Sequence, residues 1–475
     1  MSAEPAGQVP KIAVVVVAYN AESTLRDVLD RVPVDFRERI QRVYVCDDAS
    51  TDDTYQVGLD YYEGNPDYPL TVIRHDRNLG YGGNQKAGYA RAIADGMDIV
   101  VLLHGDGQYA PECLPDMVAP LERGEADAVF GSRMMVRRAA LEGGMPLYKY
   151  VGNRILTRFE NAVLGTNLSE FHSGYRAYST AALRRIDIAA NSDGFDFDTE
   201  IIIRLVDAGY RITEIPIPTY YGDEICRVNG MQYAWDVCWD VMTWRLNRMG
   251  LGRGRFTTTP DEYEWKDDDT SSHAAVLRMA ATLAPCKILD VGCSGGELAR
   301  RLRDGGHHVT GIDVAAFGSI TENCDEFIAV DLDVDGAAAL HGRHFDLLVA
   351  ADVLEHVREP EQRLGELVEL LSPGGHVVIS LPNFSHWYSR GRVAAGLFDY
   401  DTRGILDRGH LRFFTRRSMR RMLANAGLTA VQWETTGVTG LPDGRIGDAA
   451  RRIESAARRV WPTMFAFQFV VLART

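Results

Sequence analysis

The length, composition and charge of the chain exclude several classes of protein. At 475 residues it is too long for one ordinary domain, so two or three domains are expected. A hydrophobic content of 46% and a charged content of 25% are typical of a globular protein that folds in water. The formal net charge of −15 argues against general nucleic-acid binding, which needs a basic surface, so no nucleic-acid partner is expected.

Cysteine usage and the apolar runs predict where the protein works. Seven scattered cysteines without a C-x-x-C pair favour a reducing, cytoplasmic setting. Residues 1–10 show no signal peptide, and apolar runs such as residues 12–18 and 465–473 are far too short to span a bilayer. We therefore expect a cytoplasmic protein, soluble or peripheral at the inner face of the plasma membrane. Its oligomeric state does not follow from the sequence.

Strand and helix patterns alternate through the first half of the chain. Short apolar runs rich in Val, Ile and Leu cover residues 12–18, 42–46, 70–74 and 98–103, and helical patterns come between them. This alternation predicts an α/β domain built on a parallel, doubly wound sheet.

Polar side chains follow the carboxyl ends of three predicted strands, where open α/β sheets bind ligands. The first strand is followed by Tyr19 and Glu22, the second by Asp47 and Asp48, and the fourth by His104-Gly-Asp106-Gly-Gln108. Adjacent carboxylates suit hydrogen bonds to a nucleobase or ribose, and they also suit a helix cap. Carboxylate and amide oxygens suit Mg²⁺ or Mn²⁺, although the same residues are common in turns.

The order and spacing of these pieces resemble the family 2 glycosyltransferases, in particular the dolichyl-phosphate-mannose-synthase-like group. The resemblance covers residues 11–221. The matching pieces are Val17-Ala-Tyr-Asn20 with Glu22, Asp47-Asp48, Asn78-Leu-Gly80, Asp106 with Gln108, Gly131-Ser-Arg133, His172-Ser-Gly-Tyr-Arg176 and Phe197-Asp-x-Glu200. The resemblance implies a GT-A type fold, a nucleotide-diphosphate sugar donor, a divalent metal and inversion at the anomeric carbon.

The resemblance also implies roles for individual residues. The residues that would contact the base and ribose of the donor are Tyr19, Glu22, Asp48 and, beside it, Asp47. Asp106 and Gln108 would hold the metal on the donor diphosphate, and Arg176 would lie near the phosphate or the acceptor.

His104 departs from the family pattern, because members of the family usually have the first Asp of a D-x-D motif at this position. A neutral imidazole ligates Mn²⁺ better than Mg²⁺, since nitrogen suits the softer ion. His104 could equally donate to a phosphate or only pack.

The acceptor decides whether sugar transfer needs a base. A phosphate oxygen is already ionised, whereas a sugar hydroxyl needs a positioned carboxylate, for which Asp198 is preferred over Asp196 and Glu200. The alternative for Asp198 is a favourable charge at the start of the helix predicted over residues 201–208. The expected partners are a nucleotide-sugar donor and a glycan or polyprenyl-phosphate acceptor.

Two further helical stretches bear on partners. Residues 133–159 combine basic and aromatic side chains, which suits an anionic lipid or membrane surface but also an ordinary amphipathic helix with a solvated face. This stretch is the basis for a possible peripheral membrane contact. In residues 232–249, Trp235, Trp239 and Trp244 are expected to pack between domains.

The best linker in the chain is Gly-rich and polar, and it predicts the domain limits. We place the first domain at residues 1–252, the linker at residues 253–271 and the second domain at residues 272–475.

The second domain opens with a strand that enters a Gly-rich turn, Gly292-x-Ser294-x-Gly296. The turn does not read G-x-G-x-x-G, so a nicotinamide dinucleotide is disfavoured. Asp313, at the end of the next strand, can accept from both hydroxyls of a ribose.

These residues resemble motif one of the class I S-adenosylmethionine-dependent methyltransferases, with Ser294 in place of the usual middle Gly. The resemblance covers residues 272–475 and implies a Rossmann-like sheet with S-adenosylmethionine as cofactor. Asp331 and Leu332 stand where this family usually meets the adenine.

Methyl transfer to a hydroxyl requires an oriented acceptor and removal of its proton. His356 and His410 are candidate bases. The alternative for His356 is a purely structural role. His410 follows the long insertion 382–408 that should cover the acceptor, so His410 is preferred as the base.

Three hypotheses follow. In the first, one enzyme transfers a sugar and methylates, by O-methylation, the same glycan or glycolipid, because a short linker raises the effective concentration of a shared substrate. In the second, the first domain is a non-catalytic sugar-nucleotide or glycan-binding module that serves the methyltransferase. In the third, the two domains act on different substrates.

Overall fold

The structure of the protein is a computed structural model that describes residues 9–136, 138–220, 229–256, 269–438, 441 and 444–475. Contacts divide these residues into two compact units. The first contains residues 9–244 and Phe256, and the second contains residues 245–255 and the described residues from 269 onward. Much of the predicted linker, residues 253–271, lies outside the described residues, so the predicted domain limits stay predictions.

The first unit is built on a seven-stranded sheet with the order β3-β2-β1-β4-β6-β5-β7. Its strands are β1 (Ile12–Ala18), β2 (Ile40–Asp47), β3 (Leu70–Arg74), β4 (Ile99–His104), β5 (Ala128–Ser132), β6 (Arg176–Ser179) and β7 (Ile212–Pro216). β6 runs antiparallel to β4 and β5, and the other pairings are parallel. The strands predicted in the first half of the chain are therefore present in the predicted order.

Helices cover both faces of this sheet. They are α1 (Leu25–Asp30), α2 (Val34–Arg37), α3 (Thr54–Gly64), α4 (Tyr81–Ala94), α5 (Leu114–Glu122), α6 (Ala139–Glu142), α7 (Leu147–Leu164), α8 (Thr180–Arg185), α9 (Phe197–Asp207) and α10 (Gly230–Arg248). Val14 and Val16 of β1 belong to one hydrophobic cluster, whereas Ala13 and Val15 belong to another on the opposite face. A strand buried on both faces needs an unbroken apolar sequence, which explains the run at residues 12–18.

The second unit is built on another seven-stranded sheet, with the order β10-β9-β8-β11-β12-β14-β13. Its strands are β8 (Lys287–Val291), β9 (His308–Asp313), β10 (Glu326–Ala329), β11 (Phe345–Ala351), β12 (Leu371–Pro382), β13 (Thr429–Thr435) and β14 (Gln468–Arg474). β14 runs antiparallel to β12 and β13, and the remaining pairings are parallel.

The helices of the second unit again lie on both faces. They are α11 (Ser272–Ala280), α12 (Glu297–Asp304), α13 (Ile320–Asn323), α14 (Pro360–Val368), α15 (Trp387–Ala394), α16 (Arg416–Asn425), α17 (Arg445–Val460) and α18 (Pro462–Phe465). Two large clusters form the core on the two sides of the sheet. The prediction of two doubly wound α/β domains is confirmed. None of the helices in the described part of the chain combines the length and apolar character needed to cross a bilayer.

Candidate active sites

Strand register brings three predicted ligand-binding segments to one edge of the first sheet. β1 lies between β2 and β4, and its Ala18 pairs with Asp47 while Val17 pairs with His104. Because parallel strands end at the same edge, the polar residues after β1, β2 and β4 share it.

The carboxylates of Asp47 and Asp48 accept hydrogen bonds from backbone N–H groups nearby. The Asp48 carboxylate accepts hydrogen bonds from the Leu79 and Gly80 N–H groups, at 2.7 and 3.1 Å. Burial raises the pKa of the Asp48 carboxyl, and the Leu79 N–H opposes this rise. Asp47 accepts from the Ser50 N–H at 3.2 Å. Asp48 thus fixes the position of the turn at Leu79 and Gly80. The contact of Asp48 with a nucleotide stays a prediction.

Tyr19 and Glu22 lie at the solvent side of this edge. The Tyr19 side chain is partly exposed. The Glu22 carboxylate accepts from the Asp53 N–H at 3.0 Å, which connects the turn after β1 with the turn after β2. The structure therefore brings together the four side chains predicted to contact the base and ribose on neighbouring strand ends.

His104 is half-buried between aromatic rings. Its ring packs edge-on against Tyr81 and Tyr109, with centroid distances of 5.6 and 4.9 Å, and its Nε2 lies 3.4 Å from the Tyr81 hydroxyl. Burial lowers the pKa of His104, which favours the neutral imidazole that ligates metals. Gly174 permits this packing, because a Cβ atom there would lie 2.7 Å from His104 Nε2.

The rest of the predicted metal segment is a turn that faces solvent. Asp106 is exposed, and its Oδ1 accepts from the Gln108 N–H at 3.0 Å. The carboxylate of Asp106, the amide oxygen of Gln108 and the imidazole of His104 are donor types that suit a divalent cation, and the nitrogen suits Mn²⁺ in particular. Their role as metal ligands stays a prediction.

Asp198 is buried, and its carboxylate is engaged within the protein. Oδ2 accepts from the Tyr81 hydroxyl at 2.8 Å, and Oδ1 lies 3.5 Å from Gln85 Nε2 and 3.7 Å from Arg176. α9 begins at Phe197, earlier than the predicted residue 201, so Asp198 lies in its first turn. Tyr81 thus links Asp198 to His104, a connection that sequence reasoning missed. The only signal was an aromatic residue directly after the Asn78-Leu-Gly80 piece.

Arg176 is fully buried, and its guanidinium donates to three main-chain carbonyls. These belong to Ser173, Phe171 and Asp198, at 2.8, 2.7 and 2.6 Å. Its charge also lies over the Phe130 ring at 4.8 Å. Arg176 therefore orders the segment before β6 and the start of α9, and its predicted place near phosphate or acceptor stays a prediction.

The Gly-rich turn of the second unit is tight because its backbone lies in the left-handed region. Gly292 has φ +68°, and a Cβ there would lie 2.5 Å from Val353 Cγ2. Ser294 and Gly296 also have positive φ, at 47° and 80°. Such a turn exposes backbone N–H groups to a ligand at close range, which fits a nucleoside cofactor.

Asp313 is held against this turn. Its carboxylate accepts from the Ser294 N–H at 2.9 Å and from the Val314 N–H at 2.7 Å. The adjacent Asp290 is buried, and burial, with a smaller effect of Asp313, raises its pKa to about 7. The structure thus brings Gly292, Ser294 and Asp313 together as predicted from their strand ends.

The predicted adenine segment follows β10, which pairs beside β9 with Ala329 opposite Asp313. Asp331 accepts from the Asp333 N–H at 2.9 Å, and Leu332 is buried in the core. The strand that leads into this segment therefore lies beside Asp313, and the contact of the segment with adenine stays a prediction.

His356 and His410, treated above as alternatives, lie side by side. Their ring centroids are 4.8 Å apart, and His410 Nε2 is 4.0 Å from Glu355 Oε1. Glu355 is buried, and within the described part of the chain neither of its carboxylate oxygens has a hydrogen-bond partner. Burial, followed by Asp352, raises the Glu355 pKa well above its usual value. Sequence reasoning overlooked Glu355. The three side chains place one ligand atom each within 4.8 Å of one another, so they could also hold a cation.

Comparison with known proteins matches each half of the chain to a family model. The family model "Glycosyl transferase family 2" matches residues 13–187, and the model "Methyltransferase domain" matches residues 265–433. An uncharacterised protein of Methanocaldococcus jannaschii is 31% identical over 44% of this chain and 82% of its own length. The undecaprenyl-phosphate mannosyltransferase of Micrococcus luteus is 29% identical over 44% of this chain and 82% of its own length. The ubiquinone biosynthesis O-methyltransferase of Cupriavidus pinatubonensis is 32% identical over 36% of this chain and 70% of its own length.

Fold, site and comparisons together define a two-domain transferase. The chain belongs to glycosyl transferase family 2 through its first half, with a GT-A type sheet, and carries a methyltransferase domain with a Rossmann-like sheet in its second half. Both resemblances stated from the sequence are confirmed.

Proposed function

We propose that the protein is a bifunctional enzyme that transfers a sugar from a nucleotide-diphosphate sugar to a polyprenyl-phosphate or related glycolipid acceptor, with inversion, and O-methylates the same glycan. The observation that supports this proposal is that, in each unit, polar residues follow neighbouring parallel strands at the carboxyl edge of the sheet, where α/β sheets bind ligands. Relatives of the first half include proteins named for undecaprenyl phosphate and dolichyl phosphate acceptors.

In the sugar-transfer site, Tyr19, Glu22 and Asp48 bind and orient the nucleoside part of the donor. Asp106, Gln108 and His104 would hold Mg²⁺ or Mn²⁺. A cation bound there would offset the negative charge of the leaving diphosphate. A phosphate acceptor needs no base because its oxygen is already ionised. This agrees with Asp198, whose carboxylate is engaged by Tyr81, and Asp198 serves as a base only if the acceptor is a hydroxyl.

The imidazole of His104 should give the metal site a preference for Mn²⁺. In His104→Asp, the ratio of activity with Mn²⁺ to activity with Mg²⁺ should fall about tenfold, because a second carboxylate oxygen suits the harder ion. The measurement is sugar transfer at matched concentrations of each ion. Equal activity of the parent protein with both ions would reduce His104 to a packing residue.

In the methyl-transfer site, the turn Gly292–Gly296, Asp313 and the Asp331-Leu332 segment bind S-adenosylmethionine, which supplies an activated methyl group when bound. His410 removes the proton of the acceptor hydroxyl. Burial and the neighbouring His356 lower the pKa of His410, so the imidazole is neutral and able to accept that proton at neutral pH. The carboxyl of Glu355, 4.0 Å away, then lies beside the imidazolium that forms.

His410→Ala should lower the rate of methyl transfer by about 10²–10⁴-fold, the usual contribution of a general base. His356→Ala decides between the two imidazoles, and His344→Ala, at an exposed position of the same unit, is the matched control. Methyl transfer is followed with labelled S-adenosylmethionine. A larger loss in His356→Ala than in His410→Ala would exchange their roles.

The shared substrate is tested by mass spectrometry of the product. A polyprenyl phosphate incubated with sugar donor and S-adenosylmethionine should yield one species that gains both a hexose and a methyl group. Two separately modified species would favour domains that act on different substrates.

A second candidate is a methyltransferase whose first domain only binds a sugar nucleotide or glycan. His104 in place of the usual Asp favours it, because this change removes one charge from the metal site. Calorimetric nucleotide binding without sugar transfer over a panel of donors and acceptors would support this function against the first.

A further inference from the structure

An apolar stripe runs along the solvent side of α10 in the first unit. Met231, Trp235, Trp239 and Met242 are 84%, 67%, 61% and 40% exposed. Their spacing of four, four and three residues places them on one face of the helix. Trp244 of the same helix is instead buried within the first unit and donates to Asp207 at 2.9 Å. The expectation that these tryptophans pack between domains stays a prediction.

The opposite side of α10 is anchored, so the stripe is not a consequence of a loosely attached helix. Val237 and Val241 are fully buried, and the Tyr233 hydroxyl lies 2.9 Å from His172 Nδ1. The helix has its own apolar face against the first unit, and the stripe is a second apolar face. A contiguous exposed apolar face on a globular protein marks an interaction surface.

A neighbouring helix presents a second exposed face, with apolar and basic character. On α7, Leu147, Val151 and Ile155 are exposed, and Arg154 and Arg158 lie on the same face at exposed positions. Apolar side chains flanked by arginines on one helix face are typical of helices that lie in the headgroup region of an anionic bilayer.

His172 connects the two helices. Its Nε2 lies 3.2 Å from Glu160 of α7, while its Nδ1 contacts Tyr233 of α10. His172 immediately precedes the Ser173–Arg176 segment that packs on Asp198 and His104. Both exposed faces therefore belong to helices fastened beside the proposed sugar-transfer site.

We infer that the α10 stripe, assisted by the basic face of α7, docks the first unit on the surface of an anionic lipid bilayer. This inference rests on the proposed function, because an acceptor with a polyprenyl chain lies in a bilayer. Tryptophan suits such a surface, since its ring is apolar while its N–H can remain hydrated at the headgroups. The arginines of α7 supply the charge complementarity that the acidic chain as a whole does not.

The test is co-sedimentation of the full chain with vesicles made of equal parts phosphatidylcholine and phosphatidylglycerol. The parent protein should bind, and the double variant Trp235→Gln, Trp239→Gln should bind about tenfold or more weakly. Trp461→Gln, at an exposed tryptophan of the second unit, is the matched control and should bind like the parent. Vesicles of phosphatidylcholine alone should bind less protein than the mixed vesicles.

Three outcomes would overturn the inference. They are absence of binding by the parent, equal binding by parent and double variant, and a change of sedimenting mass in the double variant without vesicles, which would assign the stripe to a second copy. If the double variant melts at a lower temperature than the parent, the variant Val151→Ser, Ile155→Ser on α7 provides the same comparison. Transfer to a short-chain prenyl phosphate in solution should be unchanged in the double variant. Absence of that transfer in the parent would refute the proposed function and leave the vesicle result standing.

Discussion

Asp106→Asn should strongly reduce donor-dependent release of nucleoside diphosphate. Asp106 is the only carboxylate in the segment from His104 to Gln108, and it is exposed at the edge where β1, β2 and β4 end. An amide keeps the shape of the side chain and removes its charge, so the cation that offsets charge on the leaving diphosphate would bind weakly. The expected loss is about 10²–10³-fold in turnover, as for removal of other groups that stabilise developing charge.

The matched control for this variant is Asp116→Asn on α5. Asp116 is an exposed aspartate in the first turn of that helix, so its loss costs only a few tenths of a kcal/mol, roughly the value of one such charge. Nucleotide release is measured with excess donor and acceptor at a Mn²⁺ concentration that is just sufficient for the parent protein. Normal turnover of Asp106→Asn would refute the metal assignment, and inhibition by both variants to the same extent would indicate an effect on folding.

The regular parts of the fold followed from the sequence because their signals are local. The apolar run of residues 12–18 was predicted as a strand, and β1 has the same limits. A strand that is apolar at every position must be buried on both faces. The run therefore predicts both the strand and a parallel sheet with helices on its two faces. Strand ends then placed the ligand residues, because parallel strands in one sheet end at one edge.

The contacts between side chains inside the two sites could not be predicted from the sequence in the same way. Tyr81 and Asp198 are 117 positions apart, and their hydrogen bond depends on how α4 and α9 pack. Likewise, Glu355 and His410 lie on different elements, and the sequence contained no period or spacing that relates them. α9 also begins before the predicted residue 201, because the apolar run from Ile201 marks the helix in the sequence, whereas its acidic first turn already begins at Phe197.

Exposure was the least predictable property. Trp235, Trp239 and Trp244 belong to one helix and have the same side chain, but only Trp244 is buried. A hydrophobic pattern states which residues share a face, and it does not state whether that face meets protein or solvent when both faces are apolar.

Gly292→Ala should remove S-adenosylmethionine binding from the second unit. The added Cβ would lie 2.5 Å from Val353 Cγ2, and the backbone at φ +68° disfavours any side chain. Relief requires movement of the turn that carries Ser294 and holds Asp313, so the N–H groups and the carboxylate would no longer meet one ligand. We expect affinity to fall at least about 100-fold, comparable to about 2.7 kcal/mol.

Gly342→Ala separates the two causes of this loss. Gly342 has φ +81° but no atom within 4 Å of an added Cβ, so the variant has the left-handed strain, about 1–2 kcal/mol, without the collision. Calorimetric titration with S-adenosylmethionine should therefore show parent-like affinity for Gly342→Ala and an affinity at least about 100-fold lower for Gly292→Ala. Sugar transfer by the first unit should persist in both variants, because the substitution lies in the other unit. Equal affinity of the two variants would mean that the turn after β8 does not hold the cofactor, and the assignment of Ser294 and Asp313 would fail with it.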